Sequence, residues 1–168
     1  MKNLIFVSGP MGVGKTTISR ALQKIMPNNV FLDGDWCWDM KPFAVSEERK
    51  KMVIENITFL LQNFINRGDY ENIIFCWVMQ EDEISRDILS QLDKNEVNVF
   101  EFALICSPEA LKKRICRDIE NGVREEDVLE RALSYLGKYE KVNRVKLDVS
   151  DISPENAAKK IAEYIKGF

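Results

Sequence analysis

The sequence contains no histidine. Proton transfer near neutral pH therefore falls to carboxylates, and a zinc site would have to be built from thiolates or carboxylates alone. Cysteine is scarce too. Cys37, Cys76, Cys106 and Cys116 show no C-x-x-C spacing, so four reduced, structural thiols are expected rather than a metal cluster or a disulfide framework. No apolar run approaches the ~20 residues of a membrane span, and the one in MKNLIFVSGP is too short for a signal h-region. A surplus of positive charge is also missing. With 24 Lys and Arg against 27 Asp and Glu, the net charge is −3, which gives no global field for nucleic acid or an anionic membrane. The expectation is a soluble, cytoplasmic protein that binds neither. No apolar stripe is left over to specify an oligomeric state.

The chain's 168 residues, 45% of them hydrophobic, suit one domain with a proper core. Apolar runs of strand length alternate with segments of helical period, the pattern of a parallel sheet covered by helices on both faces. Strands are expected at 3–8, 30–33, 72–78, 97–106 and 144–148, each rich in Val, Ile and Phe. A helix is expected over 46–67, with Val53, Ile57, Leu60, Leu61 and Phe64 on one stripe and Gly68 as C-cap. SPEALKK from Ser107 and SPENAAKK from Ser153 each place Ser at an N-cap, Pro at the first helical position and Glu at the positive end of the helix dipole.

Only eight glycines occur in the chain, and three of them fall within six residues. Gly9-Pro10-Met11-Gly12-Val13-Gly14-Lys15-Thr16 satisfies G-x-x-x-x-G-K-[ST]. Glycines let the backbone curl so that N–H groups point at phosphate oxygens, Lys15 adds a mobile cation, and the Thr16 hydroxyl can join Mg²⁺. The strand KNLIFVS before this motif and the helical register of Ile18, Leu22 and Ile25 after it are the context that a nucleoside triphosphate cradle requires. Met11, Val13 and Thr17 complete the loop's expected contacts.

The guanine-reading N-K-x-D of switch GTPases is absent. A motor or AAA-type ATPase would normally end a later strand in an acid, whereas NIIFCWVMQ ends the third strand without one. Carboxylates stand instead at the end of the second strand, in FLDGDW, at the sheet edge where open α/β proteins bind ligands. Turn chemistry alone also favours Asp-Gly-Asp.

GPMGVGKTT, FLDGDW, ALICSPEALKKRICRD and LDVSDISPENAAKKI together resemble small P-loop kinases of the adenylate kinase, shikimate kinase and gluconate kinase type over nearly the whole chain. The resemblance implies a three-layer α/β/α fold, a five-stranded parallel sheet of order 2-3-1-4-5, an acceptor-binding segment near 34–68 and a short helical lid near 114–131. It implies that Asp33 orients Mg²⁺ through its water shell while Asp35 binds the acceptor hydroxyl and takes its proton. It also implies that Arg114 stacks on adenine, that Arg117 and Arg124 close onto the transferring phosphoryl group, that Arg131 is recruited to the substrate, and that Ser150 meets the base. Arginines beside glutamates on helices are otherwise ordinary solvated pairs.

Trp36 and Trp38, with Lys41 beyond them, form a candidate aromatic wall, and Trp77 and Gln80 leave strand three toward the same edge. A ring-bearing acceptor suits such a wall, and core packing explains it equally well. The remaining cations before Arg86 (Arg49, Lys50, Lys51 and Arg67) fall on or at the end of a predicted helix. The sequence therefore points to an ATP- and Mg²⁺-dependent kinase that transfers the γ-phosphoryl group to a small acceptor, whether a hydroxyl metabolite, a nucleoside or a nucleotide. A nucleotide-binding regulator or slow ATPase, and a phosphotransferase of the chloramphenicol-modifying type, are the alternatives.

Overall fold

In the computed structural model, which describes residues 1–125 and 127–167, the elements alternate as the apolar pattern requires. They run β1 (Lys2–Ser8), α1 (Lys15–Ile25), β2 (Asn29–Asp33), a 3-10 turn (Gly34–Trp38), α2 (Glu47–Asn66), β3 (Asn72–Trp77) and α3 (Asp82–Ser90). β4 (Val97–Ile105), α4 (Pro108–Glu120), α5 (Val128–Lys141), β5 (Val145–Asp148) and α6 (Pro154–Lys166) follow. Every strand pair is parallel, and the sheet order is β2-β3-β1-β4-β5. All five expected strands are present within a residue or two of their expected limits.

Side chains that alternate along β1 divide the core in two. Ile5 and Val7 join Ile18 and Leu22 of α1 and Ala157, Ala158 and Ile161 of α6. Leu4 and Phe6 join Val53, Ile57 and Leu61 of α2 and Ile88 of α3. Helix starts are set locally, as the Ser46, Ser107 and Ser153 side chains each accept from a backbone N–H three residues on. α2 ends one residue earlier than expected. Its C-cap is Arg67 in an extended conformation rather than Gly68, because a backbone bond from Arg67 N–H to Phe64 O closes the last turn without a left-handed residue. The helical interruption expected at Asn121-Gly122 separates α4 from α5; Glu126, inside the expected lid, lies outside the described residues. Among the described residues, no helix is long and apolar enough to cross a membrane.

The largest buried polar feature was not legible in the sequence. The side chain of Arg144, just before β5, is 1% exposed. It donates to Ser8 Oγ (2.9 Å), Met79 O (2.6 Å), Ser85 Oγ (2.9 Å) and Glu81 O (3.2 Å), and is ion-paired with Glu101 (3.4 Å) and Asp82 (3.7 Å). One guanidinium thus ties the end of β1, the β3–α3 connection, α3 and β4 together, using a planar fork of donors that lysine does not possess. Removing one partner of a buried pair costs ~3–5 kcal/mol, because it strands the other charge. Asp82 and Glu101 keep 31% and 27% of their side-chain exposure, so Arg144→Met is expected at the low end, about 3 kcal/mol. A fall in the urea midpoint at unchanged m-value, with incomplete recovery in Arg144→Lys, checks this.

Candidate functional site

The loop between β1 and α1 is shaped by its glycines. Gly12 and Gly14 have φ of 79° and 105°, in the left-handed region that side chains avoid. A Cβ on Gly12 would also meet Ile115 Cγ1 at 2.5 Å, so the loop lies directly against α4. Gly14 is the N-cap of α1, and the helix therefore begins with Lys15 and turns its positive end into the loop. Val13 contributes backbone here, since its side chain is buried, and half-buried Met11 packs against the same core. Lys15 is itself buried and donates to Pro10 O at 3.0 Å. Burial lowers its pKa, and the Asp35 and Asp33 carboxylates oppose that shift.

At the other edge of the loop, Thr16 Oγ1 donates to Asp33 Oδ2 at 2.7 Å, and Asp33 Oδ1 accepts from Asp35 N–H at 3.1 Å. Buried Asp33 thus caps the 3-10 turn while it holds the P-loop threonine. A hydroxyl and a carboxylate side by side suit Mg²⁺, a hard cation that takes one or two protein oxygens and completes its octahedron with water and phosphate. Among the described residues there is no cluster of three or more His, Cys, Asp or Glu that would form an all-protein cage. Next to Asp33 in the sheet register is Cys76, whose thiol is pushed up to about 12, first by burial and then by the Asp33 charge. The third strand thus carries a neutral thiol beside the expected metal position.

Asp35 stands across from Lys15. Loss of solvent raises its pKa first and the Asp33 charge second, while Lys15, the Trp77 indole N–H and Arg124 pull it back. The glycine between the aspartates has a steric reason: a Cβ on Gly34 would lie 2.5 Å from Trp77 Cγ. Trp77 therefore rests on the Gly34 backbone beside Asp35, as its position at the exit of strand three suggested. Gln80 is half-buried in the β3–α3 connection, and Lys41 is exposed ahead of α2.

A cleft of about 930 Å³ opens from the loop between α4 and the β5–α6 connection, lined by Gly12, Gly14, Thr17, Arg114, Arg117 and Ser150 among others. Here the structure sorts the expected arginines. Arg114 lines the cleft with its guanidinium bonded to Val13 O (3.0 Å), Ser150 O (3.2 Å) and Val149 O, so it clamps the P-loop to the β5–α6 connection. Arg117 is exposed on the cleft wall. Arg124 is paired with Asp118 at 3.0 Å and lies close enough to Lys15 and Asp35 to act on both electrostatically.

Three expected residues are engaged with other groups of the chain. Arg131 pairs with Asp127 one turn away on its own helix at 3.8 Å, the solvated arrangement common on helix surfaces. The Ser150 hydroxyl is engaged locally, accepting from Ser107 N–H (2.9 Å) and donating to Asp148 (2.6 Å), which leaves it no free donor for a base. Trp36 does not share a wall with Trp38. Its ring sits edge-on to Phe31 at 5.5 Å, with the Arg20 guanidinium 4.4 Å from the Phe31 ring and 5.5 Å from that of Trp36, on the α1 face of the sheet. Trp38 packs on the α2 face with Trp77, its ring 6.0 Å from Phe43. Consecutive residues of a 3-10 turn diverge by roughly a third of a circle, so two tryptophans two apart cannot present one surface. Arg20, Cys76 and Asp118 were not singled out from sequence, since a cation–π stack or a cross-strand neighbour leaves no local pattern.

The family model described as AAA domain matches residues 5–133. No curated protein matches the sequence. Solved structures of the same fold include the tunicamycin resistance protein of Deinococcus radiodurans, at 21% identity and a TM-score of 0.71, covering 98% of this chain and 96% of that one. A sugar kinase from Janibacter sp. HTCC2649 matches at 16% identity and a TM-score of 0.72, over 99% and 95% of the two chains. The shikimate kinase of Acinetobacter baumannii, solved in complex with shikimate, matches at 21% identity and 0.64, over 99% and 94%. At these identities the structural matches establish the fold, and the chemistry must be argued from residues. β3 ends in Cys76-Trp77, without the acid expected there of an AAA-type ATPase. The chain belongs to the AAA-domain family, and its fold is that of the small P-loop kinases.

Proposed function

We propose that this protein is an ATP-dependent phosphotransferase that moves the γ-phosphoryl group to a hydroxyl on a small acceptor. The observation that carries this reading is the Asp35 carboxylate. It is raised in pKa, bordered by Lys15, Arg124 and Trp77, and reachable from solvent on its open side. A water-activating ATPase does not need a base that opens toward a separate acceptor segment, whereas a kinase does.

In this mechanism the P-loop amides and Lys15 hold the phosphates, and the nucleoside lies in the cleft past Arg114. Mg²⁺ would neutralise charge on the phosphates, held by the Thr16 hydroxyl and oriented by Asp33 through its water shell. Asp35 accepts a hydrogen bond from the acceptor hydroxyl and takes its proton as the oxygen bonds to phosphorus. ADP departs with the electrons of the broken bond. Arg124, held by Asp118, and Arg117 across the cleft lie on the segment that closes over the transferred group.

Asp35→Asn should lower transfer by roughly 10²–10⁴-fold while ATP affinity, read by calorimetry, stays within a few-fold. In the native protein, transfer should fall on the acid side at a higher pH than an unperturbed aspartate would give, since Asp35 must be ionised to work, and the Asn variant should lose that limb. Stability should move the other way. A folded pKa above the unfolded one means that the stability conferred by protonation is fully present below the unfolded value and lost as pH rises through the folded one. Ionised Asp35 therefore costs stability at neutral pH, and Asp35→Asn should raise Tm; a lower Tm with unchanged turnover would make Asp35 a structural residue. Gly34→Ala should push the Trp77 indole off Asp35 and cost about 10²-fold in kcat, with ATP affinity falling far less.

A further inference from the structure

We propose that the acceptor is an uncharged, ring-bearing hydroxyl compound and that the site discriminates against anionic acceptors. This rests on the phosphotransfer reading above and goes beyond it by assigning the chemical class of the second substrate.

The first observation is where the cations of the acceptor segment are committed. Arg49 donates to Ala44 O at 3.0 Å. Lys50 is paired with Glu47 at 2.7 Å and Lys51 with Glu55 at 3.9 Å, both along α2. Arg67 follows a 20-residue helix, which puts it about 30 Å from the start of α2. A phosphate or carboxylate on an acceptor is normally gripped by a guanidinium fork, because two parallel charge-assisted bonds match its geometry. No arginine between Asp35 and the start of α2 is available for that, since this stretch contains one cation, exposed Lys41, and a second carboxylate, Asp39. Asp33 behind Asp35 adds a second carboxylate on that side, and the two nearby cations are already engaged, Lys15 at Pro10 O and Arg124 with Asp118.

The second observation is what the same segment exposes. Phe43 is 66% exposed with its ring beside Trp38, Val45 is 57% exposed, and Met52 follows in the second turn of α2. Trp77 flanks the base itself. Aromatic and apolar side chains left open to solvent on the segment that follows Asp35 are the kind that bury a flat body and orient a single hydroxyl.

The experiment measures kcat/KM by ADP release with Mg²⁺ and ATP for matched acceptors: uridine against uridine 5′-monophosphate, glucose against gluconate, and 4-nitrophenyl glucoside against glucose. The neutral member of the first two pairs should exceed its anionic partner by at least about tenfold, and the aryl glucoside should exceed glucose. Phe43→Ala should raise KM for the ring-bearing acceptors several-fold with a smaller effect on kcat. If anionic acceptors are used as well as or better than neutral ones, or the ring confers nothing, the kinase reading stands and this inference falls. If no member of the panel raises ADP release above the water background, both fall.

Discussion

One carboxylate holds the site together. Asp33 accepts from the Thr16 hydroxyl with one oxygen and from the Asp35 backbone with the other, so the P-loop helix, the end of β2 and the following turn meet at a single buried charge. The spacing between the proposed metal position and the proposed base is set there. The turn starts where it does because Asp33 caps it, and Asp35 projects where it does because the turn starts there. Trp77 then settles on Gly34 because no side chain stands in its way.

Assembling this group is unfavourable in itself. Lys15 is lowered in pKa by burial, Asp35 is raised by burial and by Asp33, and the Cys76 thiol is forced to stay neutral. The Lys15 and Asp35 shifts record a cost to the fold when both groups are charged, the kind of balance found where activity competes with stability. The rest of the molecule offsets it. The two apolar layers on either face of the sheet do so in bulk, and Arg144 does so locally by locking the strand ends next to the loop. The phosphate cradle is braced by Arg114, which joins it to the β5–α6 connection, and by α4, which Gly12 lets lie against it.

Patterns that depend on near neighbours were legible. Strand lengths, the serine caps with proline behind them, the break at Asn121-Gly122 and the P-loop all follow from residues a few positions apart, and each stands where the chain's periodicity placed it. Side chains whose partners are distant in sequence behaved otherwise. Trp36 turned to Phe31 and Arg20, Ser150 to Ser107, and Arg131 stayed with its helix neighbour. Arg114 kept its expected cleft but spends its guanidinium on carbonyls of the chain itself.

The sequence by itself determined the order of strands and helices, the phosphate loop and the two aspartates, because hydrophobic period, capping and glycine placement act over single turns and single strands. Only the tertiary structure decided which arginine lies near Asp35, that Trp36 and Trp38 part to opposite faces, and which cations of the acceptor segment pair along their own helix. Those outcomes depend on the direction in which a side chain leaves its element and on what the packed neighbours already occupy, and a linear pattern does not encode either.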